Sequence, residues 1–169
     1  PINLNLTGDE PSSVLIQVNN LDDYRQFSSW LDEKQRIGIL GAGLVGCEFM
    51  NDLLNHGRQV SMVSLESAPL ARLVPEKLGQ AFQTELAAQG VKWHMSNAAK
   101  AVKSSGSEVS VMLSDGYALA VDGVLSAVGL LPQLKLAKSI GLNVNRGIVV
   151  DHYLQSSDPH VFSLGDCAE

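Results

Sequence analysis

The sequence predicts an α/β fold in which a parallel β-sheet with crossover helices is combined with a small antiparallel β-meander. The first observation is that apolar runs of strand length alternate with amphipathic helical patterns between residues 14 and 94. The second is that apolar and polar residues alternate between residues 109 and 120, around a Ser-Asp-Gly turn signal. With 169 residues and 45% hydrophobic content, the chain can bury one substantial core.

The first predicted elements are a strand at residues 14–18 and a helix that begins after Asn20. Asparagine is a favoured N-cap residue, because its side chain accepts hydrogen bonds from the first helical N–H groups. The apolar positions on one face of this helix are Leu21, Tyr24, Phe27 and Leu31. Residues 1–12 form a polar lead-in, which could add an edge strand through the alternating residues Ile2, Leu4 and Leu6.

The most informative segment is a glycine-rich turn between the predicted strand at residues 36–40 and the next helix. Gly41, Gly43 and Gly46 follow the spacing G-x-G-x-x-G. The first glycine allows the tight bend, the second lets a diphosphate approach the backbone, and the third lets the helix pack closely on its strand. The N–H groups at the helix start favour a phosphate. The alternative interpretation is a tight turn that binds no ligand.

The elements after this turn follow the order expected of a parallel sheet. The helix has an apolar face of Val45, Phe49 and Leu53. Gly57 ends it, and a strand at residues 60–63 follows. The next helix, which ends at Gly90, has an apolar face of Leu78, Phe82 and Leu86. A strand at residues 91–94 completes the alternation, which predicts right-handed crossovers of a Rossmann-like sheet.

The antiparallel meander is predicted to begin near Ala98. A first turn is expected at residues 104–106, and the turn at residues 114–116 joins the second and third strands as a hairpin. The buried-type strand at residues 122–128 then ends at Gly129 and is expected to rejoin the parallel sheet.

The composition excludes several classes of partner. The net charge is −6 and basic residues are not clustered, which argues against binding to nucleic acid or to an anionic membrane. No apolar run approaches about 18 residues, and no signal segment opens the sequence. We therefore expect a soluble, cytoplasmic protein.

The cysteines and histidines indicate neither a disulfide framework nor a metal site. Cys47 and Cys167 are far apart in sequence, and the histidines lack the spacing of metal ligands. Cys47 lies at the start of a helix, where the helix dipole could lower the pKa of its thiol, but a small buried packing residue is the favoured interpretation. No catalytic side chain is predicted.

Three separated motifs resemble those of the pyridine-nucleotide-dependent flavoprotein oxidoreductases. The motifs are Gly-Ala-Gly-Leu-Val-Gly-Cys-Glu at residues 41–48, Ser-Ala-Val-Gly-Leu-Leu-Pro at 126–132 and Val-Phe-Ser-Leu-Gly-Asp-Cys-Ala-Glu at 161–169. Within this family the sequence is most similar to rubredoxin reductases and ferredoxin-reductase-like enzymes, also on the strength of residues 145–151.

The resemblance implies a nicotinamide-dinucleotide domain inserted into a flavin domain. Residues 1–33 would be a lead-in from the FAD domain, residues 34–130 the NAD(H)-binding domain, and residues 131–169 the return to the FAD domain. Such enzymes pass hydride from NADH to FAD, and electrons then leave for a small rubredoxin- or ferredoxin-type carrier. The flavin's own glycine-rich cradle and the C-terminal interface domain are not found in this sequence, so we expect an incomplete, poorly active portion of such an enzyme.

The resemblance also implies which residues contact the cofactors. The turn contributes Gly41, Ala42, Gly43, Leu44, Val45 and Gly46. Glu48 would face the nicotinamide pocket, although it could equally serve only to complement the helix dipole. Val128 and Gly129 would lie beside the nicotinamide half, where the alternative for Gly129 is a turn glycine. Gly165 and Asp166 would hold the ribityl chain of the flavin.

The choice of nucleotide depends on the end of the second strand of the glycine-rich unit. An acid that binds the adenosine ribose is expected about 20 residues after the first glycine. Ser64 occupies that place and Glu66 follows closely, so either could serve, and a solvated loop glutamate is the alternative for Glu66. No Arg or Lys occurs between Gln59 and Ala71, so a 2′-phosphate would lack its usual partner and NADH is favoured. Arg72 could reach the phosphates or form a surface ion pair.

Two other functions remain open for this sequence. A stand-alone module that senses NAD(H) without chemistry would share the glycine-rich turn and the parallel sheet, but it would not need the Gly165-Asp166 motif. A dehydrogenase acting directly on a small substrate would need a catalytic His, Lys or Tyr arrangement, which the sequence does not indicate.

Overall fold

A computed structural model describes Leu6, residues 14–105 and residues 108–169. Ile2 and Leu4 of the predicted edge strand, and Gly106 of the predicted turn, lie outside these residues. The chain divides into two compact units: the first extends to Gly129 and the second comprises Leu130–Glu169. None of the helices in the described ranges has the length and apolar character needed to cross a membrane.

Among its described residues, the first unit contains eight strands and three helices in the order in which the sequence predicts them. The strands are β1 (Leu15–Ile16), β2 (Arg36–Leu40), β3 (Gln59–Val63), β4 (Lys92–His94), β5 (Ala99–Ser105), β6 (Glu108–Leu113), β7 (Ala118–Val121) and β8 (Gly123–Ser126). The helices are α1 (Leu21–Leu31), α2 (Leu44–Asn55) and α3 (Glu76–Ala88).

Five of these strands form a parallel sheet in the order β1-β8-β2-β3-β4. The other three form an antiparallel meander in the order β5-β6-β7. The predicted α/β fold, with a parallel sheet, crossover helices and a small meander, is therefore confirmed. The buried-type strand after the meander does rejoin the parallel sheet, because β8 pairs with β1 on one side and with β2 on the other.

The two faces of the parallel sheet bury different sets of side chains. One core lies between the sheet and the helices and includes Phe27, Ile39, Met50 and Leu125. The other lies between the sheet and the meander and includes Leu40, Val63, Val111 and Val124. Ile39 and Leu40 point into different cores because successive side chains of a strand alternate between the faces of a sheet.

The helix boundaries follow the predicted signals, but parts of the predicted helix faces are wrong. The Asn20 side chain accepts hydrogen bonds from the N–H groups of Asp22 and Asp23, both at 2.9 Å, as expected of an N-cap. Gly57 ends α2 with a φ of 71°. By contrast, four apolar residues predicted to face the core are exposed, namely Leu21, Tyr24, Val45 and Leu78.

Each of these exposed residues lies in the first turns of its helix, and residues further along make the contact with the core. In α2 the buried residues are Gly46, Cys47, Met50 and Leu53. In α3 the close contact is made by Gly79, where an added Cβ would lie 2.5 Å from the carbonyl oxygen of Pro69. The apolar periodicity therefore identified the helices correctly. How deeply the residues of each helical turn are buried depended on how that turn packs against the sheet.

The second unit has little regular secondary structure. It contains the short helix α4 (Lys135–Ser139) and isolated bridges of Val144 with Ile148, Ile148 with Ala168 and Gln155 with Phe162. Residues Gly165–Cys167 form a single 3₁₀ turn. The motif at residues 161–169 thus consists of an isolated bridge at Phe162 followed by this turn.

Candidate functional site

The glycine-rich turn lies at the carboxyl edge of the parallel sheet, at the point where the strand order reverses. Leu40, the last residue of β2, is in register with Val63 at the end of β3 and with Ser126 at the end of β8. The chain leaves β2 for β3 on one side and returns to β8 on the other. Ligands of open α/β sheets bind in the crevice at such a switch point.

Gly41 and Gly46 make the turn compact. Gly41 has a φ of 104°, and a Cβ at this position would lie 2.5 Å from the carbonyl oxygen of Ala127. A Cβ on Gly46 would collide with the carbonyl oxygen of Gly41. Because both positions exclude a side chain, the start of α2 lies tightly against the ends of β2 and β8.

Gly43 differs from these two glycines because it faces open space. It is exposed, its backbone is extended with φ −77° and ψ −172°, and an added Cβ would have no atom within 4 Å. It is the N-cap of α2 and makes no side-chain capping bond. The first intrahelical bond runs from Cys47 N to Gly43 O at 3.0 Å, so the amides of residues 44–46 precede it. The start of α2 thus combines backbone N–H groups that precede the first intrahelical bond with open space beside Gly43.

The side chains around this bend divide into exposed and buried residues. Leu44, Val45 and Glu48 are exposed, whereas Ala42 and Cys47 are buried. Ala42 O accepts a hydrogen bond from Leu70 N at 2.8 Å, which ties the turn to the loop after β3. The exposed residues are available at the helix start, and the buried ones support it.

Cys47 is a packing residue and its thiol is protonated at neutral pH. Burial, together with the negative charge of Glu48, raises the pKa of the Cys47 thiol to about 11. Its Sγ lies 3.6 Å from Ala42 O. The structure therefore supports the packing interpretation.

Ser64 is placed where the count predicted, but its polar groups already have partners. It is buried, its N donates to His94 O at 3.1 Å, and its O accepts from Asn97 N at 2.8 Å. Its Oγ accepts from Glu66 N at 3.3 Å. Ser64 thus shapes the loop after β3 more than it offers a hydroxyl to a ligand.

Glu66 presents its carboxylate from the same loop. Its side chain is 45% exposed, and its Oε1 accepts a hydrogen bond from Arg72 Nε at 3.2 Å and forms an ion pair with Arg72 Nη2, also at 3.2 Å. Arg72 is 82% exposed. Of the two alternatives for Arg72, the structure therefore contains the surface ion pair.

Val128 and Gly129 follow the end of β8 and complete the carboxyl edge. Val128 is half-buried against the core between sheet and meander, and Gly129 is exposed with a φ of 110°. The structure thus brings together the predicted site residues of the turn, of the loop after β3 and of the segment after β8. Ala127 also borders Gly41, and it could have been found as the residue between Ser126 and Val128 in the second motif.

Gly165 and Asp166 belong to the second unit. Gly165 has a φ of 69° and open space at its Cβ position, and Asp166 is exposed. Ile148 N donates to Cys167 O at 2.7 Å and Glu169 N to Ile148 O at 2.9 Å, so residues 148 and 167–169 hold this turn in place. Within the described ranges, no group of His, Cys, Asp or Glu side chains is arranged to hold a metal ion.

Comparison with known proteins identifies the family. The chain matches the family described as pyridine nucleotide-disulphide oxidoreductase over residues 1–169. It is 45% identical to a rubredoxin-NAD(+) reductase of Alcanivorax borkumensis, over 97% of this chain and 43% of that protein. It is 41% identical to a nitric oxide reductase FlRd-NAD(+) reductase of Aeromonas salmonicida, over 94% of this chain and 41% of that protein.

A solved structure supports the same relationship. The ferredoxin reductase for the CYP199A2 system from Rhodopseudomonas palustris is 32% identical, with a TM-score of 0.85, over 90% of this chain and 38% of that chain. The chain thus spans less than half the length of the relatives that it matches. The resemblance inferred from three motifs is confirmed, and the chain belongs to the pyridine nucleotide-disulphide oxidoreductase family.

Proposed function

We propose that this chain is the NAD(H)-binding portion of a flavin-dependent oxidoreductase that passes hydride from NADH to FAD and electrons on to a rubredoxin- or ferredoxin-type carrier. The observation that carries this proposal is the open bend at Gly43, where an added Cβ would meet no atom and the N–H groups at the helix start precede the first intrahelical bond, at the switch point of the sheet. A diphosphate fits such a bend because no side chain keeps it from the backbone.

The remaining predicted residues have roles along the same nucleotide. Gly41 and Gly46 would keep the bend in shape. Ala42, Leu44 and Val45 belong to the backbone segment that would lie alongside the diphosphate. Val128 and Gly129, beside the bend, would receive the nicotinamide half together with Glu48. The Glu66 carboxylate would accept hydrogen bonds from the adenosine ribose, and it suits this role better than Ser64, whose Oγ is used within the loop.

The ion pair between Glu66 and Arg72 supports a preference for NADH over NADPH. A 2′-phosphate would bring negative charge toward the Glu66 carboxylate, and the guanidinium of Arg72 is already engaged with that carboxylate. Ribose hydroxyls, by contrast, are donors that a carboxylate accepts directly. We therefore expect NADH to bind more tightly than NADPH.

The second unit supports the flavin part of the proposal, and the relatives support the electron carrier. Gly165 and Asp166 would hold the ribityl chain of FAD, with residues 1–33 and 131–169 belonging to the FAD domain and residues 34–130 to the NAD(H) domain. FAD would supply the chemistry that converts hydride transfer into transfer of single electrons. The carrier follows from the relatives, which are named as reductases that connect NAD with rubredoxin or with FlRd. We also propose a cytoplasmic location.

The first test is nucleotide binding by the 169-residue chain, measured by NADH fluorescence titration. We expect saturable binding of NADH and weaker binding of NADPH. Tighter binding of NADPH would reverse the assignment of the ribose site, and failure of both nucleotides to bind would contradict the proposal.

The intact protein should be purified as well. Retained FAD and NADH-dependent reduction of rubredoxin would support the flavoenzyme, whereas NADH binding without flavin would support a sensing module instead.

A further inference from the structure

Asn97 is a buried polar residue between β4 and β5, outside every nucleotide-binding motif of the sequence. Its exposed fraction is 6%. Its side-chain Oδ1 accepts hydrogen bonds from Ala98 N at 3.1 Å, from Ser114 N at 3.0 Å and from Ser114 Oγ at 2.5 Å. Its Nδ2 donates to Asp115 Oδ2 at 2.7 Å. Asn97 therefore fastens its own segment to the turn of the β6–β7 hairpin.

An asparagine is the residue that these partners require. The side chain must accept from two backbone N–H groups and also donate to a carboxylate, and an amide does both. Hydrogen bonds from the backbone N of Tyr117 and from Asn97 hold the pKa of Asp115 below its usual value, although partial desolvation opposes this. Asp115 is thus an ionised acceptor. An aspartate in place of Asn97 would set two carboxylates against each other, and an alanine would leave the N–H groups without their acceptor.

The segment that Asn97 holds to the hairpin turn, residues 94–97, is also hydrogen-bonded to the loop of the proposed ribose site, residues 64–66. Asn97 N donates to Ser64 O at 2.8 Å, and Ser96 N donates to Glu66 O at 2.8 Å. Ser64 N in turn donates to His94 O at 3.1 Å. Because residues 94–97 bond the backbone on both sides of Leu65, the position of the Glu66 carboxylate depends on where that segment lies.

We propose that Asn97 is a positioning residue for the adenosine ribose of NADH. By fastening residues 94–97 to the hairpin turn, it holds the Glu66 carboxylate where the ribose hydroxyls can donate to it. The inference rests on the proposed NAD(H) binding at this edge of the sheet. Asn97 acts through Glu66, and this distinguishes it from a residue that binds the nucleotide itself.

The test is a double-mutant cycle on the 169-residue chain, with NADH binding as the measurement. Asn97→Ala should raise the dissociation constant for NADH about fivefold or more, the size expected when a charged hydrogen bond to the ligand is displaced. Glu66→Ala should weaken binding at least as much. In the Glu66→Ala background, Asn97→Ala should change the dissociation constant by less than about twofold, because the group that it positions is gone.

A control variant separates positioning from general loss of stability. Val111→Ala removes buried methyl groups from the same meander, and the Val111 side chain makes no hydrogen bond with residues 64–66 or 94–97. It should lower the melting temperature without changing the affinity for NADH. If Asn97→Ala does not fold, Ser114→Ala removes one hydrogen bond of the Asn97 side chain and should weaken NADH binding in the same direction.

The outcomes distinguish this inference from the proposed function. If the unmodified chain does not bind NADH, the proposed function fails and the inference fails with it. If the unmodified chain binds NADH but Asn97→Ala weakens binding equally with and without Glu66, Asn97 does not act through Glu66 and only the inference is overturned. Unchanged NADH affinity in folded Asn97→Ala, or in Ser114→Ala where the former does not fold, overturns it as well.

Discussion

Gly43 is the residue on which nucleotide binding depends most directly. We expect Gly43→Thr to weaken NADH binding at least about tenfold, because the new side chain occupies the space left for the diphosphate. The fold should be retained, since Gly43 has an extended backbone and threonine is itself a favoured N-cap residue. NADH titration together with a thermal unfolding curve would measure both effects. Unchanged affinity in a folded variant would contradict the proposed site.

Two other glycines serve as controls for this experiment. A Cβ on Gly46 would collide with the backbone of Gly41, so Gly46→Thr should impair folding itself. Gly57 lies at the opposite end of α2 with a φ of 71° and open space around its Cβ position. Gly57→Asn, a residue that tolerates this conformation, should leave both the melting temperature and NADH affinity nearly unchanged. The three variants together distinguish a glycine that leaves room for a ligand from a glycine that the packing of the fold requires.

The two cysteines should differ in reactivity. Cys47 is buried with its pKa raised to about 11 by burial and by Glu48, whereas Cys167 is half-buried. Because the thiolate is the reacting form, an aromatic disulfide reagent at mildly alkaline pH should label Cys167 first and Cys47 only after unfolding. Mass spectrometry of the labelled peptides would measure this order. Rapid labelling of Cys47 in the native chain would show that the start of α2 opens readily.

At the level of whole elements, α2 shows how far sequence patterns determine structure. The strand, the turn and the helix were predictable because glycine spacing and apolar runs are local signals. The burial of individual residues was less predictable: Val45 was expected in the core and is exposed, while Cys47 and Met50 are buried. Val45 lies in the first turn of α2, which is at the carboxyl edge of the sheet. We expect a ligand, and not a strand, to cover this turn.

The start of β2 is joined to the segment between β7 and β8 by Asp122. Its Oδ2 accepts from Gln35 N at 2.9 Å and from Arg36 N at 2.7 Å, and its Oδ1 accepts from Arg36 Nε and Nη2 at 3.0 and 2.6 Å. Desolvation raises the pKa of this carboxyl, but the hydrogen bonds from Arg36 and Gln35 outweigh it and hold the pKa below the usual 3.8. The ionised form therefore stabilises the fold.

This arrangement predicts a particular dependence of stability on pH. Because the pKa of Asp122 is lower in the folded chain, its contribution is present above the unfolded-state pKa of about 4 and is lost as the pH falls through the lower folded value. Asp122→Asn should reduce the free energy of unfolding by about 1–3 kcal/mol at neutral pH. Urea unfolding followed by tryptophan fluorescence should show a smaller loss of stability in acid for the variant than for the original chain. An equal loss in both would contradict this role.

For the molecule as a whole, the fold was more predictable than the contacts that hold its loops. The succession of strands and helices along the chain followed from local patterns of apolar and turn residues. The contacts of Asn97 with Ser114 and Asp115 span 17 and 18 residues, and those of Asp122 with Arg36 span 86 residues. No periodicity or motif marks such pairs, because they depend on which turns the completed sheet brings together.

The two units differ in how much apolar surface they bury. The first has two cores that include Ile37, Met62 and Val111, all with 0% exposure. In the second unit Ala137 and Leu142 are buried, whereas Leu136, Tyr153 and Leu164 are 73%, 74% and 73% exposed. Since burial of apolar side chains is the main source of stability, residues 130–169 should open more readily than the parallel sheet.

Hydrogen exchange with and without NADH would test this difference and the location of the nucleotide together. Without ligand, amides of residues 130–169 should exchange faster than those of β2, β3 and β8. At an NADH concentration of about 100 times the dissociation constant, binding adds about 2.7 kcal/mol to the stability of the liganded unit. Protection should therefore increase across the first unit, most strongly at residues 41–47 and 64–66, where exchange requires departure of the nucleotide. Protection confined to residues 130–169 would place the nucleotide in the other unit and overturn the proposed site.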